Sequence, residues 1–292
     1  EQQVIMVFSS FIQPFMMEYQ QGRTPNPCIF CNRALKFGAF LDRALEMGFD
    51  FIATGHYGII RQNEAGKYEL HMAPTAGKDQ SYVLYQQTQR TLSRLLLPIG
   101  GLEKAEVRRR AEQLGLSVAQ KKDSQEICFI PDHDYASFLT ARGIRTEPGE
   151  FVDCAGHVLG QHKGMIHYTV GQRKGLGIAF GEPKYVLALD PVHNRVVLGS
   201  NQETYTRKMV CSRVHFISGE IPRTSLRAQV KIRYAAPAAP ALLSPREDGS
   251  LSVCFDQPQR AVTPGQAAVF YDGDLVLGGA IIDGAQNTPD EL

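Results

Sequence analysis

The sequence predicts an α/β layer on a parallel sheet, then a small central β-rich domain and a C-terminal β-barrel. Three observations carry this. Between residues 32 and 53, apolar residues at helical spacing (Phe37, Phe40, Leu41, Ala44, Leu45) give way to a short apolar strand, Phe51 to Ala53. A helix followed by a fully apolar strand belongs to layered α/β folds. After Gly143 the pattern turns to β-branched runs separated by turn residues, in GEFVDCAGHVLGQHKG and YVLALDPVHNRVVLGS, which read as hairpins. From about residue 206 short strands recur (LRAQVKIRY, LSVCFD, QAAVFYDGDLVLGGAII), with Asp272-Gly273 marking a tight turn. The expected division is 1–140 for the α/β domain, 141–205 for the central domain and 206–285 for the barrel, with 286–292 as a tail.

Composition bounds the function. The chain has 292 residues, 43% of them hydrophobic, and a net charge of +1. That length suffices for two or three packed domains, and the charge balance gives no overall nucleic-acid footprint, so any RNA contact must come from a local patch. No apolar run reaches transmembrane length, and no basic-then-apolar leader opens the chain; no membrane partner is expected and a cytoplasmic location is. The start, EQQVIMVFSSFIQPFMMEY, reads as an amphipathic helix. Six cysteines in a chain of this length are too sparse for a disulfide scaffold, and paired thiols are then more often catalytic or metal-binding.

The elements follow in order. Asn32 is a plausible cap for the helix that Gly48 ends. The strand after it runs into a Thr-Gly-His loop, and ligands of parallel sheets sit at the carboxyl ends of strands, so Gly55 and His56 fall in the expected crevice. RQNEAGKYELHM reads as a hairpin turning near Glu64 to Gly66, and GKDQSYVLYQQTQRTLSRLLLP as one helix starting near Asp79 or Ser81. LEKAEVRRRAEQLG is a surface helix closed by Gly115, with charges arranged to suit the helix dipole. SQEICFIPDHDYASFLTARG reads as a short strand around Cys128, then a helix from about Asp132 to Arg142. The Pro/Ala-rich AAPAAPALLSP reads as a loop or an edge.

Four clusters carry candidate chemistry. Cys28 and Cys31 stand three apart at a helix start, where unpaired N–H groups and the dipole lower a thiol's pKa; Cys31 is placed closest to that point. Half-buried structural thiols, a zinc site and a redox motif remain alternatives. Zinc needs four ligands and no second CxxC is present, so no metal site is predicted. Cys128 follows Lys121 and Lys122, which would favour its thiolate; the alternative is a small core residue. Lys78, Asp79 and Gln80 open a helix and are either a polar site or plain capping. His162, Lys163, His167, Tyr168, Arg173 and Lys174 form a basic, aromatic, Gly-rich stretch fit to bind phosphate and stacked bases, or a solvated loop. Gly175 to Gly177 is not a dinucleotide fingerprint.

Taken together, GRTPNPCIFCNRALKFGAFL, DFIATGHY, GKDQSYVLY, KKDSQEICFI, HYTVGQRKGLGI, VKIRY and AVTPGQAAVFYDGDLVLGGAII resemble, in order and spacing, the bacterial tRNA-specific 2-thiouridylases. The resemblance covers about residues 8 to 283. It implies an adenine-nucleotide alpha-hydrolase-like first domain. It also implies ATP-dependent 2-thiolation of the wobble uridine in tRNAs for Lys, Glu and Gln. ATP, with Mg²⁺, would adenylate the C2 oxygen; a persulfide would then deliver sulfur, and a second cysteine would complete the transfer. Carried onto this chain, Cys31 is the nucleophile or resolving thiol and Cys128 carries the persulfide. A transient Cys31–Cys128 disulfide is implied too. Asn26, Pro27 and Cys28 would lie against the target base, Gly55 would touch the nucleotide, and His56 would sit beside tRNA. Lys78, Asp79 and Gln80, and from the barrel Arg233, Tyr234 and Gln266, would contact tRNA. Cys28 stands where the family also allows an acidic residue, and no catalytic role is assigned to it. Cys154, Cys211 and Cys254 are expected to be packing residues. The implied partners are tRNA and a persulfide sulfur-donor protein, and the implied state is a monomer. The family's SGGxDS phosphate loop is not in the sequence; Gly100-Gly101 and Gly278-Gly279 stand in other contexts. The expectation is a member lacking its N-terminal nucleotide-binding segment. If so, the alternative function is a catalytically silent tRNA-binding protein.

Overall fold

The computed structural model of the chain describes residues 12–75, 77–120, 127–130 and 134–286. The expectations placed on Lys121, Lys122, the helix start at Asp132 and most of the tail lie outside the described residues. Helix α1 (residues 12–20) buries Phe15 and Tyr19 against Ile130, Leu139, Ile144 and Ile166. A loop then leads to one continuous helix, α2, in three parts: an α turn Pro27–Phe30, a π segment Cys31–Ala39 and an α segment Phe40–Glu46. Its start is six residues earlier than Asn32 implies. Asn26 is the cap and Pro27 opens the helix, as suits a residue with no N–H to satisfy. Asn32 is instead buried inside, donating from Nδ2 to the Val83 carbonyl at 3.0 Å.

Strands β1 (Ile52–Ala53), β2 (Ile59–Gln62), β3 (Tyr68–His71) and β4 (Leu95–Leu96) follow α2. β1 and β4 pair in parallel, the parallel layer expected. The predicted single helix after Asp79 is two short ones, α3 (Ser81–Leu84) and α4 (Gln89–Leu92). The break has a local cause: Thr88 caps α4 in a reciprocal pair with Thr91, and a capping side chain competes with continuation of the helix before it. Helix α5 (Lys104–Gln113) buries nothing. Around Cys128 there is a turn and no strand, closed by the Ile130 N–H on the Ile127 carbonyl at 2.9 Å; a four-residue apolar run is too short for periodicity to decide. Helix α6 spans Tyr135–Thr140, with the Asp134 side chain accepting from the Ser137 N–H.

The middle of the chain is a four-stranded sheet in the order β6 (Val158–His162), β5 (Gly149–Val152), β8 (Arg195–Gly199), β7 (Tyr185–Asp190). Phe151, Tyr168, Val186, Val196 and Leu198 form its core. The barrel has six strands: β9 (Tyr205–Phe216), β10 (Leu226–Lys231), β11 (Ala239–Pro245), β12 (Leu251–Arg260), β13 (Ala267–Asp272) and β14 (Leu275–Ala285). The order β13-β10-β11-β12-β9-β14 closes through β13–β14 pairing. The Pro/Ala-rich stretch is therefore a paired barrel strand, β11, and not a loop. Its prolines fall near the ends, and Ala241 packs without exposed surface opposite Phe255. Gly278 and Gly279 are in β14, where an added Cβ would lie 2.1 Å from the His215 carbonyl and 2.7 Å from the Ala268 carbonyl. They serve strand approach, not phosphate binding. The β2–β3 hairpin joins β14 through the Leu275–His71 register. Phe37, Leu41, Tyr82, Leu84 and Tyr85 share one core with Val269, Tyr271 and Val276 of the barrel, and so the barrel buttresses the helix that carries the thiols.

Candidate functional site: thiols at the start of a π-interrupted helix

The Asn26 side chain accepts from the Cys28 N–H at 3.1 Å, fixing the first turn. Cys28 and Cys31 stand three apart in that turn and so share a face. Cys128, on its turn, lies within electrostatic reach of both, and all three thiols are free. Lys36 acts on both helix thiols. The π segment explains its reach. In an α-helix the residue five on from Cys31 would point about 140° away; an i→i+5 hydrogen-bonded turn brings it back onto the same side.

The expectation of a depressed Cys31 pKa is overturned. Burial pushes both helix thiols up. For Cys28 the neighbouring Cys128 and Cys31 push further and Lys36 only partly opposes; for Cys31 Lys36 is the main opposing group. Cys28 is exposed as a residue, yet atoms crowd its sulfur enough for burial to lead. Desolvation disfavours the charged thiolate, and here it outweighs the helix start.

His56 follows β1. Its Nδ1 lies 2.9 Å from Thr54 Oγ1 and its Nε2 3.5 Å from Lys36 Nζ, with the Phe37 ring at 5.7 Å. Burial, then Lys36, lowers its pKa to about 4, so the imidazole is neutral at neutral pH. An ammonium only donates, which makes Nε2 the acceptor and assigns the proton to Nδ1, donating to Thr54. Between them Gly55 is exposed at the end of β1, and a Cβ added there would meet only Ile99 at 3.6 Å.

The Lys78–Gln80 loop is bound to this one. The Gln80 side chain accepts from the Tyr57 N–H at 3.0 Å, and the Gln80 N–H donates to the Tyr57 carbonyl at 2.8 Å. Asp79 is buried, accepting from the N–H groups of Ala73 and Ser81 and from the Ser81 hydroxyl; its carboxylate holds the loop instead of facing a partner. Lys231 interacts with Asp79 and sits 5.7 Å over the Tyr234 ring and 6.0 Å over that of Tyr82. Tyr234 is exposed and within reach of Lys78. The structure thus brings Lys78, Gln80 and Tyr234 together.

Arg233 is turned inward. Its Nη2 donates to the Val170 and Ala261 carbonyls and to Thr263 Oγ1, clamping the central domain to the barrel. Gln266 likewise donates to the Thr24 carbonyl at 2.7 Å, bracing the loop before Asn26. In the basic-aromatic stretch, His162 is buried and Tyr168 is core. His162 accepts the Gly164 N–H at Nδ1 and contacts the Asn194 carbonyl through Nε2; Arg173 and Lys174 are exposed. Sequence reasoning missed Lys36, Thr54 and Lys231. Only a π turn, invisible in helical periodicity, would have pointed to Lys36.

The fold and site define a class: an α/β unit fused to two β domains, with free thiols gathered at a helix start beside a lysine and a neutral histidine. Sequence profiles agree with the architecture. A tRNA methyl transferase HUP domain matches residues 6–132, a tRNA methyl transferase PRC-barrel domain 136–200 and an aminomethyltransferase beta-barrel domain 206–282. The tRNA-specific 2-thiouridylase MnmA of Acetivibrio thermocellus is 52% identical over 275 residues, covering 94% of this chain and 77% of that protein. The MnmA proteins of Clostridioides difficile (46% identity, 93% and 76% covered) and Heliobacterium modesticaldum (51%, 93% and 71%) are similar too. The chain belongs to the tRNA-specific 2-thiouridylase family.

Proposed function

We propose that this chain transfers sulfur to C2 of the wobble uridine of tRNAs for Lys, Glu and Gln, with Cys128 as the persulfide carrier and Cys31 as the resolving thiol. The observation that supports it is the gathering of Cys28, Cys31 and Cys128, all free, beside Lys36 and His56. The thiol set, and not the methyl-transfer wording of the domain descriptions, carries the reading. In the proposed step the outer sulfur of the Cys128 persulfide bonds to C2 as the activated oxygen leaves. Cys31 then attacks the Cys128 sulfur, breaking the S–S bond. The 2-thiouridine departs and a Cys31–Cys128 disulfide remains, which an external thiol reduces. ATP is the co-substrate that activates the oxygen. Gly55, exposed at the end of β1, leaves room for a nucleotide's approach; the family's SGGxDS phosphate loop is not in this sequence, and among the described residues no group of three or more His, Cys, Asp or Glu side chains is arranged to hold Mg²⁺.

Lys36 favours the ionised resolving thiol. Asn26, Pro27 and Cys28 face the base in this reading; His56, Lys78, Gln80 and Tyr234 face the RNA, while Asp79, Arg233 and Gln266 position the loops that do. The partners are tRNA and a persulfide-donating protein, the working state is a monomer, the location is cytoplasmic, and the domain limits are 1–140, 141–205 and 206–285. Among the described residues no helix is long and apolar enough to cross a membrane. The test is incubation of the chain with unmodified tRNA-Glu transcript, ATP, Mg²⁺, a persulfide sulfur donor and an external thiol to reduce the disulfide, followed by nucleoside mass spectrometry. The reading expects 2-thiouridine that disappears with Cys128→Ser. Tight tRNA binding with no product would leave a silent tRNA-binding protein.

A further inference from the structure

A cleft of about 290 Å³ opens on the side of the first turn of α2 away from the thiols. Glu18, Asn26, Phe30, Arg33, Gln86 and Arg213 line it, and Cys28, Cys31 and Cys128 do not. Ile29, Phe30 and Arg33 reach it because three- and four-residue spacings share a helix face, a different face from that of the thiols. The lining has three chemistries. The Phe30 ring and the apolar Ile29 and Ile281 form the walls, with the buried Phe15 behind them. The Gln86 side-chain amide, which donates to the Tyr85 hydroxyl at 3.0 Å, leaves its oxygen as an acceptor. Two guanidinium groups stand near one another, since Arg33 and Arg213 both act on the Tyr85 hydroxyl.

Charge is not balanced there. Glu18 pairs with Arg213 at 3.0 Å but also with Arg23 at 2.6 Å. Among the described residues no carboxylate lies within ion-pair distance of Arg33. A site with a ring face, a side-chain amide and a guanidinium without a carboxylate partner matches one ligand class. Bases stack on aromatic rings and hydrogen-bond at their edges, and phosphate binds arginine.

We propose that this cleft binds one nucleotide of the RNA chain, base against the Phe30 ring and phosphate on Arg33, next to the uridine presented to the thiols. It deepens the proposed function and rests on it: the cleft and the thiols are separated by about one helix diameter, ~10 Å, so two neighbouring nucleotides splayed apart would occupy both sides of α2. The site would then set which anticodon-loop sequence is accepted.

The chain contains no tryptophan, so Phe30→Trp places a single fluorophore in the cleft. Uridine 5′-monophosphate should quench it saturably. Arg33→Ala in that background should raise the Kd at least fivefold, and Cys31→Ser should leave it unchanged. Calorimetric titration of the wild-type chain with the same nucleotide guards against a misfolded reporter. No saturable binding in either measurement, an unchanged Kd with Arg33→Ala, or displacement by inorganic phosphate as tightly as by the nucleotide would overturn the proposal. A gel shift of wild-type chain with tRNA separates the two ideas: tRNA binding without nucleotide binding sinks the cleft alone, and nucleotide binding without tRNA binding sinks the tRNA reading.

Discussion

Replacing Lys36 with methionine removes a charge and keeps the length of the side chain. Lys36 is the leading group opposing the burial that raises the Cys31 pKa. Without that charge the Cys31 pKa rises further and the thiolate fraction at neutral pH falls. A more basic thiolate is also a better nucleophile, but with a Brønsted slope near 0.5 this returns only about half of the loss on a logarithmic scale. The net expectation is a slower reaction of Cys31 with iodoacetamide at pH 7. The assay is peptide mass spectrometry over time in a Cys28→Ser background, because both thiols share a tryptic peptide. Lys36→Arg should restore the rate. Equal rates for wild type and Lys36→Met would refute the claim that the π turn delivers this charge to the thiol.

Three further outcomes are expected. The pKa of His56 is lowered to about 4 from an ordinary 6.5, so between those values the unfolded chain binds a proton that the folded chain does not. Stability should fall as pH drops through this window, by up to about 3 kcal/mol, and His56→Gln should remove that slope from urea midpoints; an unchanged slope would contradict the assignment. Gly38 lies in the π segment with an ideal Cβ only 2.9 Å from the Arg33 carbonyl, so Gly38→Ala should destabilise the chain by about 1 kcal/mol, read as a lower urea midpoint, instead of giving the usual helical gain; a raised midpoint would count against it. Arg233→Leu should loosen the clamp on the Val170 and Ala261 carbonyls and speed tryptic cleavage after Arg173 or Lys174 at least fivefold; unchanged cleavage would show that the clamp does not hold that loop.

The parts of the fold that were legible in sequence were those with local causes. The parallel strand after α2, the hairpins and the tight turn at Asp272-Gly273 follow from period and turn chemistry. The split of α3 from α4 turned on one capping threonine, and β11 on burial of alanines inside a closed barrel, which composition reads as a loop. At the site, Cys28, Cys31 and Cys128 were legible as residue types, but the acidities of the two helix thiols, Cys28 and Cys31, were not. The helix-start argument points down, and burial, a tertiary property, points up. Arg233 reads from sequence as a surface cation, and only its three acceptors show it to be structural. Lys36 was hidden because its place depends on five-residue spacing in a helix whose sequence reads as ordinary α.

The central claim is that Cys128 carries the sulfur and Cys31 releases it. The direct measurement is to charge the chain with a persulfide donor, remove the donor, add tRNA with ATP and Mg²⁺ to one half, then block free thiols in both halves and map the extra sulfur by peptide mass spectrometry. The account predicts the extra sulfur on the Cys128 peptide, its transfer into 2-thiouridine, and a Cys31–Cys128 disulfide left behind. Extra sulfur on the Cys28–Cys31 peptide, or transfer that persists in Cys31→Ser without reductant, would contradict it.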